Sequence, residues 1–139
     1  MTVLVVHAAA TFFMIGLIWV VQLLLYPAFR YVPEADFIEF EAAHTRRMGL
    51  VLAVPAPLEV ITGAWLVWER PSDVGLWLVL IAGAVLAAAW VLTALVQARI
   101  HGRLSKEHDA ELVDRLIVTN WWRTALWTVR GTLVLAMLI

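Results

Sequence analysis

The distribution of apolar residues divides the chain into four long hydrophobic runs, near residues 3–26, 49–68, 75–98 and 116–139. A helix needs about 20 mostly apolar residues to cross the hydrocarbon layer of a membrane, and each run has that length. The segments between the runs are short and hold most of the charged residues. The pattern predicts an all-α integral membrane protein, an up-down four-helix bundle that forms one domain over the whole chain.

The two longer connecting segments also show helical patterns. Four residues recur at helical spacing before the second run: Phe37, Phe40, His44 and Arg47. This spacing predicts an amphipathic helix that starts near Pro33 and Glu34, rests on the membrane surface and leads into the second span. Residues 100–114 predict a continuation of the third span, a turn at 101–102 or at 107–109, and a helical lead into the fourth span.

Basic residues in the connecting segments predict the orientation of the chain. The first and third segments together hold Arg30, Arg46, Arg47, Arg99, Arg103, Lys106 and Arg115, whereas the second segment holds only Arg70. Short loops rich in Lys and Arg stay in the cytoplasm. We therefore expect both basic segments in the cytoplasm and both chain termini on the opposite, extracytoplasmic side.

Composition agrees with a membrane protein and narrows the chemistry. Hydrophobic residues make up 63% of the chain and charged residues 15%, with eight Trp, whereas soluble domains have about a quarter charged residues. The net charge of −1 gives no indication of nucleic-acid binding. The chain has no Cys, which excludes thiol chemistry and thiolate-ligated metal. Any redox role would require a bound cofactor.

Three charged residues lie inside the predicted spans: Glu59, Arg123 and Arg130. At about 1.5 Å of rise per residue, they lie roughly 15, 9 and 20 Å from the cytoplasmic ends of their helices, respectively. A charge in hydrocarbon costs at least about 2.5–3.5 kcal/mol, so these side chains are expected to face the interior. One carboxylate against two guanidinium groups leaves a positive surplus. The set predicts a catalytic or charge-balancing Glu59 with Arg123 and Arg130 as anion clamps.

Polar and aromatic residues continue along one face of three spans. These stripes are Trp19, Gln22 and Tyr26 on the first span, Trp90, Thr93, Gln97 and His101 on the third, and Asn120, Arg123, Trp127 and Arg130 on the fourth. Together they predict a cavity that opens toward the cytoplasm, with Trp19, Trp90 and Trp127 as its walls. The structural alternative is that these side chains only form hydrogen bonds between helices, worth about 0.6 kcal/mol each.

The four histidines differ in their surroundings. His44 and His101 lie on the predicted cytoplasmic side, and they are candidate ligands for iron, copper, zinc or haem, although their spacing matches no local metal motif. A solvated surface position is the alternative for both. His108 lies in a charged segment and is expected at the surface. His7, near the outer end of the first span, is a separate candidate for a haem ligand or proton carrier.

Several of these residues also resemble, in type and spacing, those of known groups of membrane proteins. The pattern of Gln22, Tyr26–Pro27, His44, Pro55 to Glu59, Gln97, His101, Asn120–Trp121, Arg123–Thr124 and Trp127 resembles a family of small four-helix bacterial membrane proteins with no established activity. Length and architecture are also similar to anthrone-oxygenase-like membrane proteins and to HemJ-type protoporphyrinogen oxidases, which bind haem. The similarity to the latter rests on His7, an aromatic-rich first span, and a proline-containing second span followed by Gly63. The third run lacks the Lys that this group carries there.

Two function classes follow from the sequence. In the first, the cavity binds a hydrophobic, partly anionic molecule or a haem or metal cofactor, as in a membrane oxidoreductase. In the second, the protein is a non-enzymatic module that carries lipid or metabolite, forms a homo-oligomer or docks on a larger membrane complex. The resemblance implies a bacterial cytoplasmic membrane. The predicted cavity implies a hydrophobic small molecule as a partner in addition to membrane lipid.

Overall fold

The computed structural model describes all 139 residues, and the chain is helical without a single strand. It contains four long helices: α1 (Thr2–Tyr31), α2 (Glu34–Trp65), α3 (Leu76–Leu104) and α4 (Ala110–Ala136). The first three are long and apolar enough to cross a membrane. Helix α4 covers most of the fourth hydrophobic run, but it is not among the helices that are apolar enough to cross a membrane by length and composition alone.

Helix α2 joins the predicted amphipathic helix and the second hydrophobic run. It begins directly after Pro33 and is interrupted once, between Leu52 and Pro55. Proline has no N–H to donate to the preceding turn, so the two prolines at 55 and 57 favour a helix start at this point. This interruption divides α2 into a first and a second half.

The connection between α3 and α4 lies at the second of the two predicted turn positions. Helix α3 continues through His101 to Leu104, and α4 starts after Asp109. The Asp109 carboxylate accepts a hydrogen bond from the Leu112 backbone N–H at 3.0 Å. Asp is a favoured residue at this capping position because it satisfies a backbone donor that has no partner within the helix.

The helices pack so that both chain termini lie at the same end of the protein. Leu4, Leu66, Val74 and Met137 belong to one apolar cluster, which places both termini beside the short connection between α2 and α3. We call this the terminal end. A larger cluster, which includes Phe29, fills the opposite end, where the basic segments lie. We call that the basic end.

The outer surface differs from that of a soluble protein, and the apolar core also holds buried polar groups. Large apolar residues cover the outer surface, among them Phe12, Phe13, Leu23, Leu24, Val91 and Leu95. Ten polar or charged residues are buried: His7, Thr11, Gln22, Glu41, Glu59, Thr62, Gln97, Asn120, Thr124 and Arg130. An apolar exterior suits contact with lipid, and a polar interior holds the groups for which lipid has no hydrogen-bond partner.

Candidate functional site

The predicted charge pair forms between α2 and α4. Arg130 Nε donates to Glu59 Oε1 at 2.8 Å, and both side chains are almost completely buried, at 1% and 0% exposure. Thr11 of α1 donates to the same carboxylate oxygen at 2.8 Å. The other oxygen, Oε2, has no partner. Glu59 therefore connects three helices while keeping one acceptor free.

Arg130 also reaches α1 and α3. Its Nη1 donates to the backbone carbonyl of Ala82, and its Nη2 lies 2.9 Å from Nε2 of His7. A guanidinium group has five N–H donors. The contacts with Glu59, Ala82 and His7 use three, so two remain without a protein acceptor.

The contacts of His7 fix its tautomer. Arginine can only donate, so Nε2 of His7 accepts from Arg130, and the ring proton lies on Nδ1. Nδ1 then donates to the Thr62 hydroxyl at 2.8 Å, and that hydroxyl donates to the Leu58 carbonyl at 2.7 Å. His7 is thus a neutral group within this cluster. We call His7, Thr11, Glu59, Thr62 and Arg130 the outer cluster.

A glycine allows the close approach of His7. A Cβ atom at Gly63 would lie 3.0 Å from His7 Cε1 and 3.6 Å from Arg130 Nη2. These distances are at or inside ordinary van der Waals contact. The absence of a side chain at this position on α2 therefore makes room for the imidazole and the guanidinium group.

The largest cavity adjoins the outer cluster. It has a volume of about 650 Å³ and lies between the second half of α2 and α3, with His7 and Arg130 in its wall and apolar residues over most of the remainder. The helices diverge here, and the residues that face the gap include Gly63, Ala64, Gly83, Ala84 and Ala87. Val60 and Leu80 at its margin are 44% and 53% exposed, so the mouth opens on the apolar outer surface. We call it the lateral cavity.

A second polar group lies closer to the basic end. Gln22 of α1 donates to the Ile117 carbonyl at 3.2 Å and accepts from Asn120 Nδ2 at 2.9 Å. Asn120 Oδ1 in turn accepts from Arg123 Nη1 at 2.8 Å. Arg123 takes part in none of the four ion pairs, and its buried Nε has no partner. The two arginines therefore differ: Arg130 is paired with Glu59, and Arg123 has no carboxylate.

Two π-helical turns position the polar residues of α1 and α3. They span Val21–Leu25 and Thr93–Gln97, and they turn Gln22 and Gln97 into the interior. In α1, Pro27 cannot donate to the preceding turn, which favours the wider turn. In α3, the Thr93 hydroxyl donates to the Ala89 carbonyl at 2.8 Å and competes for a backbone acceptor.

The residues after these turns form a third group at the basic end. The phenol oxygen of Tyr26 lies 3.0 Å from His101 Nε2, and His101 Nδ1 lies 2.7 Å from Oε1 of Glu41. Glu41 is completely buried. The His44 ring stacks on His101, with centroids 5.5 Å apart and planes 19° apart, and its edge faces Phe29. Three helices thus meet in one carboxylate–imidazole–phenol chain.

The three indoles predicted as cavity walls are not together. Trp90 and Trp127 pack edge to face, with ring centroids 6.3 Å apart, and the buried Nε1 atoms of both lack a partner. Trp19 instead lies on the outer surface, 37% exposed, against Trp121. Depth along a helix does not specify direction, and Trp19 lies before the π-helical turn that directs Gln22 inward. Gln97 is also apart from the cavity, donating to Thr119 at 3.0 Å.

The cavity predicted from the sequence, polar-aromatic and open toward the cytoplasm, does not correspond to the lateral cavity. The lateral cavity is mostly apolar, lies toward the terminal end and includes Trp90 and Arg130 of the predicted lining. Near Arg123 there is only a small void, of about 40 Å³, lined by Tyr26 and Trp127. Glu59 is close to one of the two arginines, Arg130, and does not pair with Arg123.

The histidines do not assemble a metal site. No group of three or more His, Asp or Glu side chains has the geometry to hold a metal ion. Both ring nitrogens of His101 are hydrogen-bonded, to Tyr26 and Glu41, and both nitrogens of His7 are hydrogen-bonded, to Arg130 and Thr62. In this arrangement neither imidazole has a free nitrogen for iron, and these residues do not fit axial ligation of haem.

Three members of the outer cluster were not predicted to belong to it: His7, Thr11 and Thr62. Their spacing carries a signal, because His7 and Thr11 are four residues apart on α1, and Glu59 and Thr62 are three apart on α2. Residues at these separations share a helix face. Polar pairs on two apolar helices would have indicated a shared interface.

Comparisons with known proteins add no family. No family model, no curated protein and no solved structure matches this chain.

Proposed function

We propose that the protein is a four-span membrane protein whose lateral cavity binds a hydrophobic small molecule with a hydrogen-bond acceptor group. The single observation that carries this proposal is the position of Arg130 and His7 in the wall of an otherwise apolar cavity of about 650 Å³. Ligand sites have volumes of roughly 300–1,000 Å³, mostly apolar walls and a few placed polar groups.

The mouth of the cavity supports a ligand that arrives from the lipid phase. It opens between α2 and α3 on the apolar surface, where small residues leave a gap between the helices. A molecule dissolved in the membrane reaches this opening without crossing water. Its apolar part would lie against the alanines and glycines, with the acceptor group toward Arg130.

The charge of the outer cluster indicates which acceptor fits. Glu59 balances the charge of Arg130, and His7 is neutral, so the cluster as a whole carries no net charge. Two N–H groups of Arg130 still lack an acceptor. A carbonyl oxygen, as in an ester, ketone or quinone, satisfies these donors without adding an unbalanced charge.

The same proposal includes four membrane spans and a defined orientation of the chain in the membrane. Helix α4 carries two arginines within its hydrophobic run, but its Asn120 and Arg130 are buried among the other helices. The basic end holds seven Lys and Arg in its connecting segments, against Arg70 alone at the terminal end. The basic end then lies in the cytoplasm, and the lateral cavity lies in the outer half of the membrane.

Photolabelling tests the lateral cavity directly. The probe is a long-chain fatty acid methyl ester with a diazirine on its chain, added to the protein in phosphatidylcholine nanodiscs. We expect adducts, located by mass spectrometry, on residues 60–67 and 79–87. Ala87 lines the cavity, and Ala87→Phe should reduce these adducts at least tenfold.

Ala88 provides the matched control, because it is the next residue on α3 and does not line the cavity. Ala88→Phe should leave the labelling unchanged. Adducts spread evenly over lipid-facing residues such as Leu23 and Leu24, or labelling that persists in Ala87→Phe, would contradict a specific site.

A further inference from the structure

Arg123 is a charged side chain that has no counter-ion in its surroundings. Its Nη1 donates to Asn120 Oδ1 at 2.8 Å, and its buried Nε has no partner. No carboxylate lies within ion-pair distance of it. The nearest buried acids are already engaged, Glu59 by Arg130 and Glu41 by His101.

The same small void has a second free donor. Trp127 and Arg123 both line the void of about 40 Å³, and Trp127 Nε1 is buried without a partner although the side chain is only 1% exposed. Indole N–H and guanidinium N–H groups only donate. Tyr26 also lines the void, but a neutral phenol does not balance a positive charge.

The guanidinium is held in position by the Asn120 amide and lies within hydrogen-bonding reach of the Tyr26 hydroxyl, and neither group carries a balancing charge. Asn120 Oδ1 is used by Arg123 itself, and Gln22 Oε1 accepts from Asn120. The other amide donor of this chain, Gln22 Nε2, is fixed on the Ile117 carbonyl. The arrangement presents a positive charge with unfilled donors, in a fixed place, to whatever enters the void.

The size of the void selects the group that enters. A void of about 40 Å³ has room for a few water molecules, at roughly 10–15 Å³ for each. It admits a carboxylate group but not a ring or a sugar. One guanidinium charge also matches one carboxylate charge, in the two-oxygen geometry that arginine favours.

The remaining lining shows where an attached chain would leave. Leu17 and Val21 of α1 face Met48 and Leu52 of α2 across the void, and all four are apolar. In its first half, α2 buries only Phe37 and Glu41, well before this point. Leu50 and Val51 beside the gap are 72% and 42% exposed. The gap between α1 and α2 therefore leads to the apolar outer surface.

We propose that Arg123 and Trp127 bind the carboxylate of a monocarboxylic acid, and that the chain of a fatty acid extends between α1 and α2 into the lipid. This site is distinct from the lateral cavity, which lies between α2 and α3 and has a neutral polar cluster. It takes an anion, whereas the lateral cavity takes an uncharged acceptor.

Laurate labelled with ¹³C at its carboxyl carbon is the probe, with the full-length protein in phosphatidylcholine nanodiscs. We expect a separate, saturable carboxyl signal in the NMR spectrum of the wild-type protein. Arg123→Gln should weaken laurate binding at least tenfold, and Arg123→Lys, which keeps the charge but not the planar fork, should weaken it less. Lauryl alcohol should not compete. Undiminished binding by Arg123→Gln, or equal competition by the alcohol, would overturn the proposal.

A second pair of variants tests the site even if Arg123→Gln does not fold. Leu52→Trp narrows the gap beside the void, and Leu135→Trp places the same bulk on the exposed surface of α4, outside the lining of the void. We expect loss of laurate binding only in Leu52→Trp, and equal binding by both would contradict the route. If acetate displaces laurate, the site recognises a free carboxylate alone. If acetate does not displace laurate, the site takes the fatty acid with its chain.

The two proposals fail separately. Ala87→Phe blocks the lateral cavity and should leave laurate binding unchanged, while Arg123→Gln should leave ester photolabelling unchanged. Loss of laurate binding in Ala87→Phe would place the fatty acid in the lateral cavity and would overturn the separate site at Arg123.

Discussion

His101 on α3 lies 2.7 Å from the buried carboxylate of Glu41 on α2, and its other ring nitrogen lies 3.0 Å from the phenol oxygen of Tyr26 on α1. This chain of polar contacts links the first half of α2 to the other helices at the basic end. We expect it to hold that half in place, because only Phe37 and Glu41 are buried there.

The first prediction concerns Glu41. Glu41→Leu removes the acceptor for His101 Nδ1 and should lower the free energy of unfolding by about 1–3 kcal/mol, the usual cost of a buried group without a partner. Glu41→Gln keeps an acceptor and should cost less. Thermal unfolding followed by circular dichroism measures both. Glu39→Leu, at an exposed position two residues earlier, is the control. Equal stability of Glu41→Leu and Glu39→Leu would contradict the prediction.

The second prediction concerns Glu59 and Arg130. Replacing either by Gln leaves a buried charge without its partner, which costs about 3–5 kcal/mol. Replacing both removes both charges, so the double variant should be more stable than the sum of the single changes by at least about 1 kcal/mol. Equilibrium unfolding in mixed detergent measures the four proteins. Strict additivity would show that the 2.8 Å contact contributes no coupling.

The third prediction concerns the tautomer of His7. His7→Gln has an amide oxygen that can accept from Arg130, whereas His7→Leu leaves Nη2 without that acceptor. We therefore expect the Leu variant to lose about 1–3 kcal/mol of stability and the Gln variant to lose less. The same unfolding assay applies. A Leu variant as stable as the Gln variant would mean that Arg130 does not need this contact.

The fourth prediction concerns orientation. A reporter active only outside the cytoplasm should be active when fused after Ile139 and inactive when inserted after Lys106, because these points lie at opposite ends of the protein. A reporter active only in the cytoplasm should give the reverse pattern. A cytoplasmic C-terminus would overturn the orientation that the basic segments predict.

The helices could be predicted from the sequence because hydrophobic length and proline position determine them locally. Pro33 marks the start of α2, and Pro55 marks its interruption. The burial of charge at Glu59 and Arg130 could be predicted for a similar reason, since lipid offers no partner to either side chain. Each of these predictions needs information from only one helix.

Predicting which charges pair with each other would have required the rotation of each helix about its axis. The length of a hydrophobic run does not specify that rotation. Arg123 and Arg130 are seven residues apart on the same face of α4, and depth alone leaves Glu59 within reach of either. Contacts from other helices decide the matter, since Thr11 and His7 hold Glu59 and Arg130 in one cluster. Trp19 shows the same limitation, because it lies at the expected depth but faces outward.

The π-helical turn at Val21–Leu25 affects which residues of α1 share a face of the helix. A wide turn of this kind corresponds to one additional residue in an α-helix, and each residue advances the helix by about 100°. Thr11 precedes that additional residue, and Tyr26 follows it. The wide turn takes up that residue within its own length. A one-residue deletion inside the turn would therefore regularise the backbone hydrogen bonds and leave Thr11 and Tyr26 on their present faces, whereas a deletion between Thr11 and the turn would rotate one half of α1 against the other.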